Sequence, residues 1–556
     1  MKVCEAIARW CADIETPFVA GILGNGLLEI ADRLAADTDV PFILTRHEQG
    51  AAMMAYSYAF QTGKPAVVVA SKAPGATNTG IGVMGAYVES LPMLVISAQV
   101  SNDHEGYEAF EEIDLAAFFA PITKWSVQAN NANRVLELLN EAYRRTLTGR
   151  PGPVHVAIPY NFMQREIEQY VPPSIPSADT TISGDRLTDV VELMSSAKRP
   201  LIIAGGGVPA RNDVDVLVLA EALPAPIVSS WLRKPVSDRH PNFVGMAGIG
   251  GSPAARVAIH DADTVLVLGC RFSEQMTEHY RMKFAPGVRM IHIDLDPAVI
   301  GRVYPVAMGI TGDLGALLPL LRETVTTAAT APAPSTPSGE RSWLARLQRE
   351  HAGYHQRLAD ARTAGTAVGG REVVRELRRL LPDGSRLILD SGNYLHWADQ
   401  YFPITSAGEF HYPTSGTMGF GVPGAIGAKI AHPAALVCAL VGDGGFAMTM
   451  GELETAARVR SPILVVIVNN GTLGHIRMRQ DAALDGRRVG VDFIEQHFAH
   501  VPKAFGLFGA EVSSDTELQA VLKEAIAEVE AGRSAVVDVH VTDELAPGPL
   551  VHWWHD

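Results

Sequence analysis

Cysteine is scarce in this sequence. Cys4, Cys11, Cys270 and Cys438 are the four present among 556 residues, and no two of them form a Cys-x-x-Cys pair. Disulfide frameworks and structural zinc sites need cysteines that cluster with each other, or with histidines, at short spacings. The sequence therefore predicts reduced, buried thiols.

Basic charge and long apolar runs are also lacking. Lys and Arg number 46 against 61 Asp and Glu, which gives a formal net charge of −15. Phosphate backbones are bound by clustered Lys and Arg, so this balance argues against a nucleic-acid partner. No run approaches the ~20 apolar residues of a membrane span, and acidic residues interrupt the N-terminal stretch. We therefore expect no membrane partner and a cytoplasmic location.

Short apolar segments that alternate with helical patterns are abundant. Hydrophobic residues make up 47% of the chain, which is enough for several cores. The apolar runs are continuous rather than alternating, which is typical of parallel strands buried on both faces by helices. We predict an α/β fold with strands at 65–71, 91–97, 199–207, 262–270, 289–297, 386–392, 434–444 and 462–470.

Two stretches rich in Pro, Ser, Thr and Ala divide the chain into thirds. Residues 168–185 and 324–342 have compositions that do not form a packed core. Residues 343–362 are expected to form a helix that leads into the last third. We predict three domains, each a doubly wound parallel sheet, at 1–170, 186–325 and 365–556.

The last third contains the most informative spacing. A Gly-Asp-Gly turn at 442–444 ends one predicted strand, and after a predicted helix at 447–460 the next strand ends at Asn469-Asn470. Parallel strands end at the same edge of a sheet, which is the edge where open sheets bind ligands. Asp443 and Asn470 should therefore meet there and offer the oxygens that Mg²⁺ prefers alongside phosphate.

Gly-Asp-Gly alone is common in strand-to-helix turns, but its spacing to the Asn pair resembles the signature of the thiamine-diphosphate enzymes. Glycines at the turn let the backbone approach a diphosphate closely. The resemblance implies that thiamine diphosphate is bound by Gly442, Asp443, Gly444, Gly445, Asn470 and Thr472. It also implies that Mg²⁺ is held by Asp443, Asn470 and Thr472.

The first third carries a second resemblance. The segment TRHEQGAAMMAYSYAFQTGKPAVVVASKAPGATNTG (45–80) is similar to the first domain of the acetolactate (acetohydroxyacid) synthase-like group. The resemblance implies that Glu48 is a catalytic acid that shares a proton with the aminopyrimidine of the cofactor, since a buried carboxyl group prefers its neutral form. The group builds its site between two subunits. A homodimer or homotetramer is therefore expected, in which Glu48 of one chain meets Asp443 of another.

Two further segments resemble the same group. PTSGTMGFGVPGAIGAKIAH (413–432) is similar to the run that precedes Gly-Asp-Gly, which implies that Gly416 and Met418 contact the aminopyrimidine and that Met418 lies under the cofactor. The middle third resembles the central domain, a Rossmann-like unit that holds FAD in some members, a CoA-type adenosine in others, and neither in the rest. Gly205-Gly206-Gly207 lacks Gly-x-Gly-x-x-Gly spacing, so FAD stays open.

The sequence also departs from the synthases. Arg479 stands nine residues beyond the second Asn, where those enzymes have Trp, while Glu111 and the Gly-Asn-Gly at 24–26 replace other residues of the group's usual pattern. Arg prefers a carboxylate, phosphate or sulfonate to a small alkyl group, so the acetolactate reaction itself is in doubt. Candidate substrate contacts, for each of which a structural role is an equal alternative, are His47, His475, Arg477 and Arg479.

The resemblance as a whole implies a thiamine-diphosphate- and Mg²⁺-dependent 2-oxo acid decarboxylase or carboligase. Such a lyase or transferase breaks or forms a C–C bond next to a carbonyl, with the cofactor as electron sink. Alternatives are a lyase of the 2-hydroxyacyl-CoA type, a catalytically silent binding subunit of the same fold, and a nicotinamide oxidoreductase. Retention of Glu48, Asp443 and Asn470 argues against the silent subunit, and the missing glycine fingerprint argues against the oxidoreductase.

Overall fold

The computed structural model describes residues 1–173, 184–329, 338–360 and 368–542. These residues form three sheets of six strands each, and every pairing between the named strands is parallel. Alternate residues of one strand, such as Val67 and Val68, lie in separate apolar clusters on the two sides of the sheet. The predicted fold class, three doubly wound parallel sheets, is confirmed. In the described part of the chain, no helix has the length and apolarity that crossing a bilayer requires.

The first sheet has the strand order β2-β1-β3-β4-β6-β5. Its strands are β1 (Val19–Gly21), β2 (Phe42–Leu44), β3 (Val67–Ala70), β4 (Met93–Gln99), β5 (Trp125–Gln128) and β6 (Pro153–Pro159). Its helices are α1 (Val3–Asp13), α2 (Leu28–Asp37), α3 (Glu48–Thr62), α4 (Ala73–Asn78), α5 (Gly80–Glu89), α6 (Leu115–Phe119) and α7 (Val135–Leu147).

The central sheet has the order β12-β11-β10-β7-β8-β9, which is the 3-2-1-4-5-6 arrangement of Rossmann-type domains. Its strands are β7 (Pro200–Ala204), β8 (Ile227–Ser229), β9 (Phe243–Met246), β10 (Thr264–Leu268), β11 (Arg289–Asp294) and β12 (Met308–Thr311). The accompanying helices are α8 (Gly184–Ser195), α9 (Asp213–Ala222), α10 (Pro253–Asp261), α11 (Leu314–Ala329) and α12 (Ser338–Asp360).

The third sheet has the order β14-β13-β15-β16-β18-β17, so it repeats the topology of the first sheet. Its strands are β13 (Arg386–Leu389), β14 (Phe410–His411), β15 (Val437–Gly442), β16 (Leu464–Asn469), β17 (Phe508–Val512) and β18 (Ala535–His540). Its helices are α13 (Gly370–Leu380), α14 (Tyr394–Tyr401), α15 (Gly421–Ala431), α16 (Asp443–Thr449), α17 (Glu452–Arg458), α18 (Gly474–Ala483) and α19 (Asp515–Glu530). Short 3₁₀ turns elsewhere are Ala120–Ile122, Ala132–Arg134, Tyr160–Phe162, Ala210–Asn212, Phe498–His500 and Pro502–Phe505.

Two elements depart from the sequence predictions. The single helix expected at 447–460 begins earlier, at Asp443, and is broken between Thr449 and Glu452, where Gly451 has a low helix propensity. The first part of helix α12 packs on the central domain, because Trp343 and Leu347 belong to the central apolar core. The indole of Trp343 also donates to the Pro200 carbonyl. The last turn of α12 contacts the third domain, where the Tyr401 hydroxyl donates to the Leu358 carbonyl at 2.8 Å.

The predicted connectors fall partly outside the described residues. In the first connector, 168–185, the structure does not describe residues 174–183. In the second connector, 324–342, it does not describe residues 330–337. The second connector was predicted to start too early, since α11 continues through Ala329.

The first and third sheets are held against each other by a shared apolar core. Tyr56 on α3 packs against Phe420, which precedes α15. A β-carbon at Gly427 would collide with the Met54 carbonyl, so α3 and α15 are in backbone contact. Buried Glu89 of the first domain pairs with Arg233 of the central domain and accepts from the Thr414 hydroxyl of the third at 2.8 Å. These contacts fix the wall of the cavity described next.

Candidate active site

A cavity of about 560 Å³ lies at the carboxyl edge of the third sheet. The adjacent strands β13, β15 and β16 end in it, and the central domain closes one side with Trp231 and Ile249. Its volume is in the range of small-molecule and cofactor pockets. The predicted site residues that line it are Gly416, Met418, Gly442, Asp443, Gly444, Gly445, Asn470, Thr472, His475 and Arg479.

Asp443 is the first residue of α16 and is only 3% exposed. Its Oδ1 accepts from the Gly444 N–H at 2.8 Å, but its Oδ2 is buried without a hydrogen-bond partner. Burial raises the pKa of Asp443 above its ordinary value, against the lowering effect of nearby backbone N–H groups. A buried carboxylate oxygen with no donor is costly, and a bound cation would relieve that cost.

The two members of the Asn pair have different environments. Asn469 is buried, and its amide donates to Asp538 Oδ1 at 3.0 Å and to the Gln496 carbonyl at 3.1 Å, so it anchors the strand end. Asn470 lines the cavity, with Oδ1 accepting from the Thr472 N–H at 3.3 Å. Gly471, between Asn470 and Thr472, has φ +66°, which turns the chain sharply at this point.

Thr472 also lies in the wall, and its hydroxyl donates to the Val491 carbonyl at 2.9 Å. That hydroxyl oxygen keeps its acceptor capacity. Asp443, Asn470 and Thr472 therefore bring a carboxylate, an amide and a hydroxyl oxygen to one cavity. This all-oxygen set suits Mg²⁺ better than a softer metal ion.

Asp390 is a residue that the sequence analysis did not single out. It follows β13, is 1% exposed, and accepts from the N–H groups of Ser391 at 2.7 Å, Gly419 at 3.0 Å and Gly421 at 2.9 Å. Burial raises its pKa to about 6, although those N–H groups act in the opposite direction. Asp390 thus fixes the turn that carries Met418. Its position directly after an apolar strand, like that of Asp443, was the available signal.

His475 and Arg479 project from α18 into the cavity. The His475 Nδ1 lies 3.1 Å from Asn393 Oδ1. Burial lowers the pKa of His475, and the charge of Arg479 lowers it further. This edge of the cavity thus combines a neutral imidazole with a cationic side chain. Arg477 is not among the described residues that line the cavity.

Glu48 and His47 lie elsewhere in the chain, and neither is among the described residues lining the cavity. Glu48 opens α3, is 7% exposed, and accepts from the Asn78 amide at 2.9 Å. His47 caps the same helix by accepting from the Gln49 N–H at 3.2 Å. The carboxylate of Glu452 accepts from the N–H groups of Arg46 and His47, both at 3.1 Å, and so holds this turn against the third domain.

The glycine triplet of the central domain serves a backbone contact. A β-carbon on Gly207 would lie 2.8 Å from the Gly269 Cα, and one on Gly205 would collide with the Gly269 carbonyl. The ends of β7 and β10 can therefore approach only because these residues are glycines. The triplet gives no separate indication of a dinucleotide.

The three parallel sheets and the oxygen-lined cavity at a carboxyl edge define a three-domain α/β enzyme. The chain belongs to the thiamine pyrophosphate enzyme family. Residues 1–118 match the family's N-terminal TPP binding domain, 187–321 its central domain, and 390–539 its C-terminal TPP binding domain. The resemblance stated from the motifs is confirmed.

Similar curated proteins span nearly the whole chain. A probable acetolactate synthase large subunit of Methanococcus aeolicus is 32% identical over 95% of this chain and 90% of its own. The acetolactate synthase large subunit of Haemophilus influenzae is 31% identical over 98% and 95%, and that of Lactococcus lactis is 32% identical over 93% and 89%. The protein is accordingly a thiamine-diphosphate-dependent enzyme of the C–C bond-forming or bond-breaking type.

Proposed function

We propose that the protein is a Mg²⁺-dependent carboligase or decarboxylase that acts on a 2-oxo acid, similar to its acetolactate synthase relatives. The observation that supports this most directly is the buried Oδ2 of Asp443, which has no hydrogen-bond partner and belongs to a residue that lines a cavity of about 560 Å³. A silent binding subunit would have no reason to keep this unfavourable oxygen.

The cavity residues divide by the part of the cofactor they would hold. Asp443, Asn470 and Thr472 would hold Mg²⁺, while Gly442, Gly444 and Gly445 leave room for the diphosphate. Gly416 and Met418, which also line the cavity, would contact the ring end. Bound thiamine diphosphate supplies an electron sink for the carbanion next to a carbonyl. The glycine triplet gives no separate indication of a flavin, so FAD stays open for the central domain.

The predicted domains receive roles in the same scheme. We propose that 1–170 binds the aminopyrimidine, 365–556 binds the diphosphate, and 186–325 is the Rossmann-like wall of the cavity. Glu48 would be the acid that holds the proton at the aminopyrimidine. Since Glu48 is outside the cavity of its own chain, it would serve the cavity of a second copy, in a homodimer or a homotetramer.

The substrate end of the cavity would be formed by α18. Arg479 carries a permanent charge and a planar donor fork, which suit a substrate carboxylate. His475 is kept neutral by burial and is oriented by Asn393, so it can accept or donate a proton at the substrate carbonyl. His47, at the start of α3, would enter the same site together with Glu48 of the second copy.

The first test replaces Asp443. Asp443→Asn keeps the size of the side chain and removes its charge, and a hydrogen bond or contact to a charged group contributes about 1.5 to 3 kcal/mol. We expect the Mg²⁺-dependent affinity for thiamine diphosphate to fall by about 10- to 100-fold in titration calorimetry.

The matched control is Asp485→Asn. Asp485 is exposed and has φ +51°, a backbone conformation that Asn tolerates. The control should bind the cofactor like the wild type. Wild-type affinity in Asp443→Asn would contradict the proposed metal site.

A further inference from the structure

A second cluster of metal-ligating side chains lies at the edge of the third sheet. We call His497, Glu511 and His540 the edge triad. Glu511 is on the edge strand β17, His540 ends the neighbouring strand β18, and His497 immediately precedes the 3₁₀ turn Phe498–His500. None of the three was singled out by the sequence motifs, because they are separated in the sequence and come together only in the folded chain, where β17 pairs with β18 and the segment at His497 lies beside them.

The triad has the geometry of a three-ligand metal site. The candidate ligand atoms all lie within 4.8 Å of one another. Glu511 is between the two imidazoles, with Oε2 3.1 Å from His497 Nδ1 and Oε1 3.3 Å from His540 Nε2. Ligands about 2.0 to 2.2 Å from a tetrahedral ion are themselves roughly 3.3 Å apart, so only small side-chain movements would be needed.

An independent observation concerns His540. Its Nε2 is buried and makes no hydrogen bond of acceptable geometry, although the side chain as a whole is 27% exposed. Asp538 Oδ2 lies 3.6 Å from this nitrogen. This imidazole nitrogen is removed from water, has no hydrogen-bond partner and faces two carboxylates. A bound metal ion would give it the partner that it lacks.

The backbone around the triad is fixed in advance. Asp538 Oδ2 accepts from the Phe498 N–H at 2.7 Å, which holds the residue next to His497. The other oxygen of Asp538 accepts from the Asn469 amide at 3.0 Å. Asp538 therefore holds the backbone beside His497 in place. The same residue also holds Asn469, at the strand end that presents Asn470.

We propose that the edge triad binds a divalent transition-metal ion of the zinc class, separate from the Mg²⁺ site in the cavity. Two imidazole nitrogens and one carboxylate favour Zn²⁺, Co²⁺ or Ni²⁺ over Mg²⁺, whereas the oxygen set at Asp443 has the opposite preference. Water would take the remaining coordination position. The bound ion cross-links β17, β18 and the segment at His497.

Binding is tested on the holoenzyme. Protein treated with chelator and then saturated with Mg²⁺ and thiamine diphosphate is titrated with Zn²⁺ in a calorimeter, and Co²⁺ is used as a visible-absorption probe of low-symmetry coordination. We expect one Zn²⁺ per chain. The variants His540→Ala and Glu511→Gln should each lower the Zn²⁺ affinity by at least about 100-fold. Loss of a residue that only supports a metal ligand costs at most about that much.

Two controls separate this site from others. His500→Ala removes an exposed imidazole from the same segment and should leave Zn²⁺ affinity unchanged. Asp443→Asn should also leave it unchanged, which keeps the outcome independent of the proposed cofactor site. Circular dichroism of each variant establishes that it is folded. The proposal is overturned if the wild type takes up no Zn²⁺, or if Glu511→Gln and His540→Ala bind it as tightly as the wild type.

Discussion

Two buried aspartates at neighbouring strand ends have different chemical states. Asp390 follows β13 and has N–H donors on both oxygens, whereas Asp443 follows β15 and leaves Oδ2 without a donor. Asp390, whose oxygens both accept hydrogen bonds, holds a loop. Asp443, whose Oδ2 accepts none, is available to a ligand. The distinction follows from hydrogen bonding and not from residue type.

Asp390 should make stability depend on pH. Its ordinary pKa of 3.8 is raised by burial to about 6 in the folded protein. The folded state therefore holds this proton more tightly, and its contribution to the free energy of unfolding is lost as pH rises toward 6 and beyond. Asp390→Asn cannot titrate, so the destabilisation that it causes should shrink by about 1 kcal/mol between pH 5 and pH 7.

Urea unfolding of both proteins at several pH values measures this difference. The substitution should still destabilise at every pH, because an amide cannot accept hydrogen bonds on both sides as the carboxyl group does. Above pH 7 the difference should be flat, which serves as the internal control. A difference that stayed constant from pH 5 to pH 7 would show that Asp390 does not titrate there.

At the scale of elements, the start of α16 requires a residue without a β-carbon at position 445. A β-carbon on Gly445 would lie 3.0 Å from the Asp390 Cγ and Oδ2 and 3.1 Å from Oδ1. Replacing a helical glycine by alanine normally stabilises by about 0.5 to 1 kcal/mol. Here the collision with a side chain that holds three N–H groups should dominate.

Gly445→Ala is therefore expected to lower stability by about 1 to 3 kcal/mol, the usual range for overpacking, and to weaken cofactor binding with it. Thermal unfolding and cofactor titration measure the two effects. Gly353→Ala in α12 is the matched control, since its β-carbon would meet nothing nearer than the Arg357 guanidinium at 3.7 Å. The control should be neutral or stabilising. Equal behaviour of the two variants would rule out the collision.

The sequence predicted eight of the described strands, which are among those buried on both faces. The apolar runs at 434–444 and 462–470 correspond to β15 and β16, because a strand covered by helices on both sides must be apolar throughout. Short strands such as β1 and β2 were missed, since three residues each give too little pattern, and the longer buried strands β6 and β18 were missed as well. The break after Thr449 was also missed.

The roles of individual side chains were less predictable, because they depend on contacts between distant residues. Asn469 appeared in the motif beside Asn470, but its partner Asp538 lies on another strand and turns it into an anchor. Asp390 acquires its function from the loop at Gly419 and Gly421. The sequence motifs identify the strand ends that form the cavity edge. The tertiary contacts decide which polar groups there remain able to bind a ligand.

At the scale of the whole molecule, the proposed role of Glu48 requires a second copy, because Glu48 is not among the described residues that line the cavity of its own chain. Helix α3 packs against α15 of the same chain, and Glu48 at its start is directed to Asn78 rather than to Asp443. If each site combines Glu48 of one chain with Asp443 of another, Glu48→Gln and Asp443→Asn should each inactivate both sites of a dimer. Turnover of Glu48→Gln should fall by about 10² or more, the range of general acid-base catalysis.

Mixing the two variants should then restore activity, when assayed at a cofactor concentration that saturates the wild type but not Asp443→Asn. In a mixed dimer, one site combines both substituted residues and the other combines Glu48 and Asp443 intact. Random exchange makes half of the dimers mixed, and half of their sites intact, so about a quarter of the wild-type activity should return. Differently tagged chains confirm that exchange has occurred. Mixed dimers without activity would place Glu48 and Asp443 in the same chain's site, because then every site would carry one of the two substitutions.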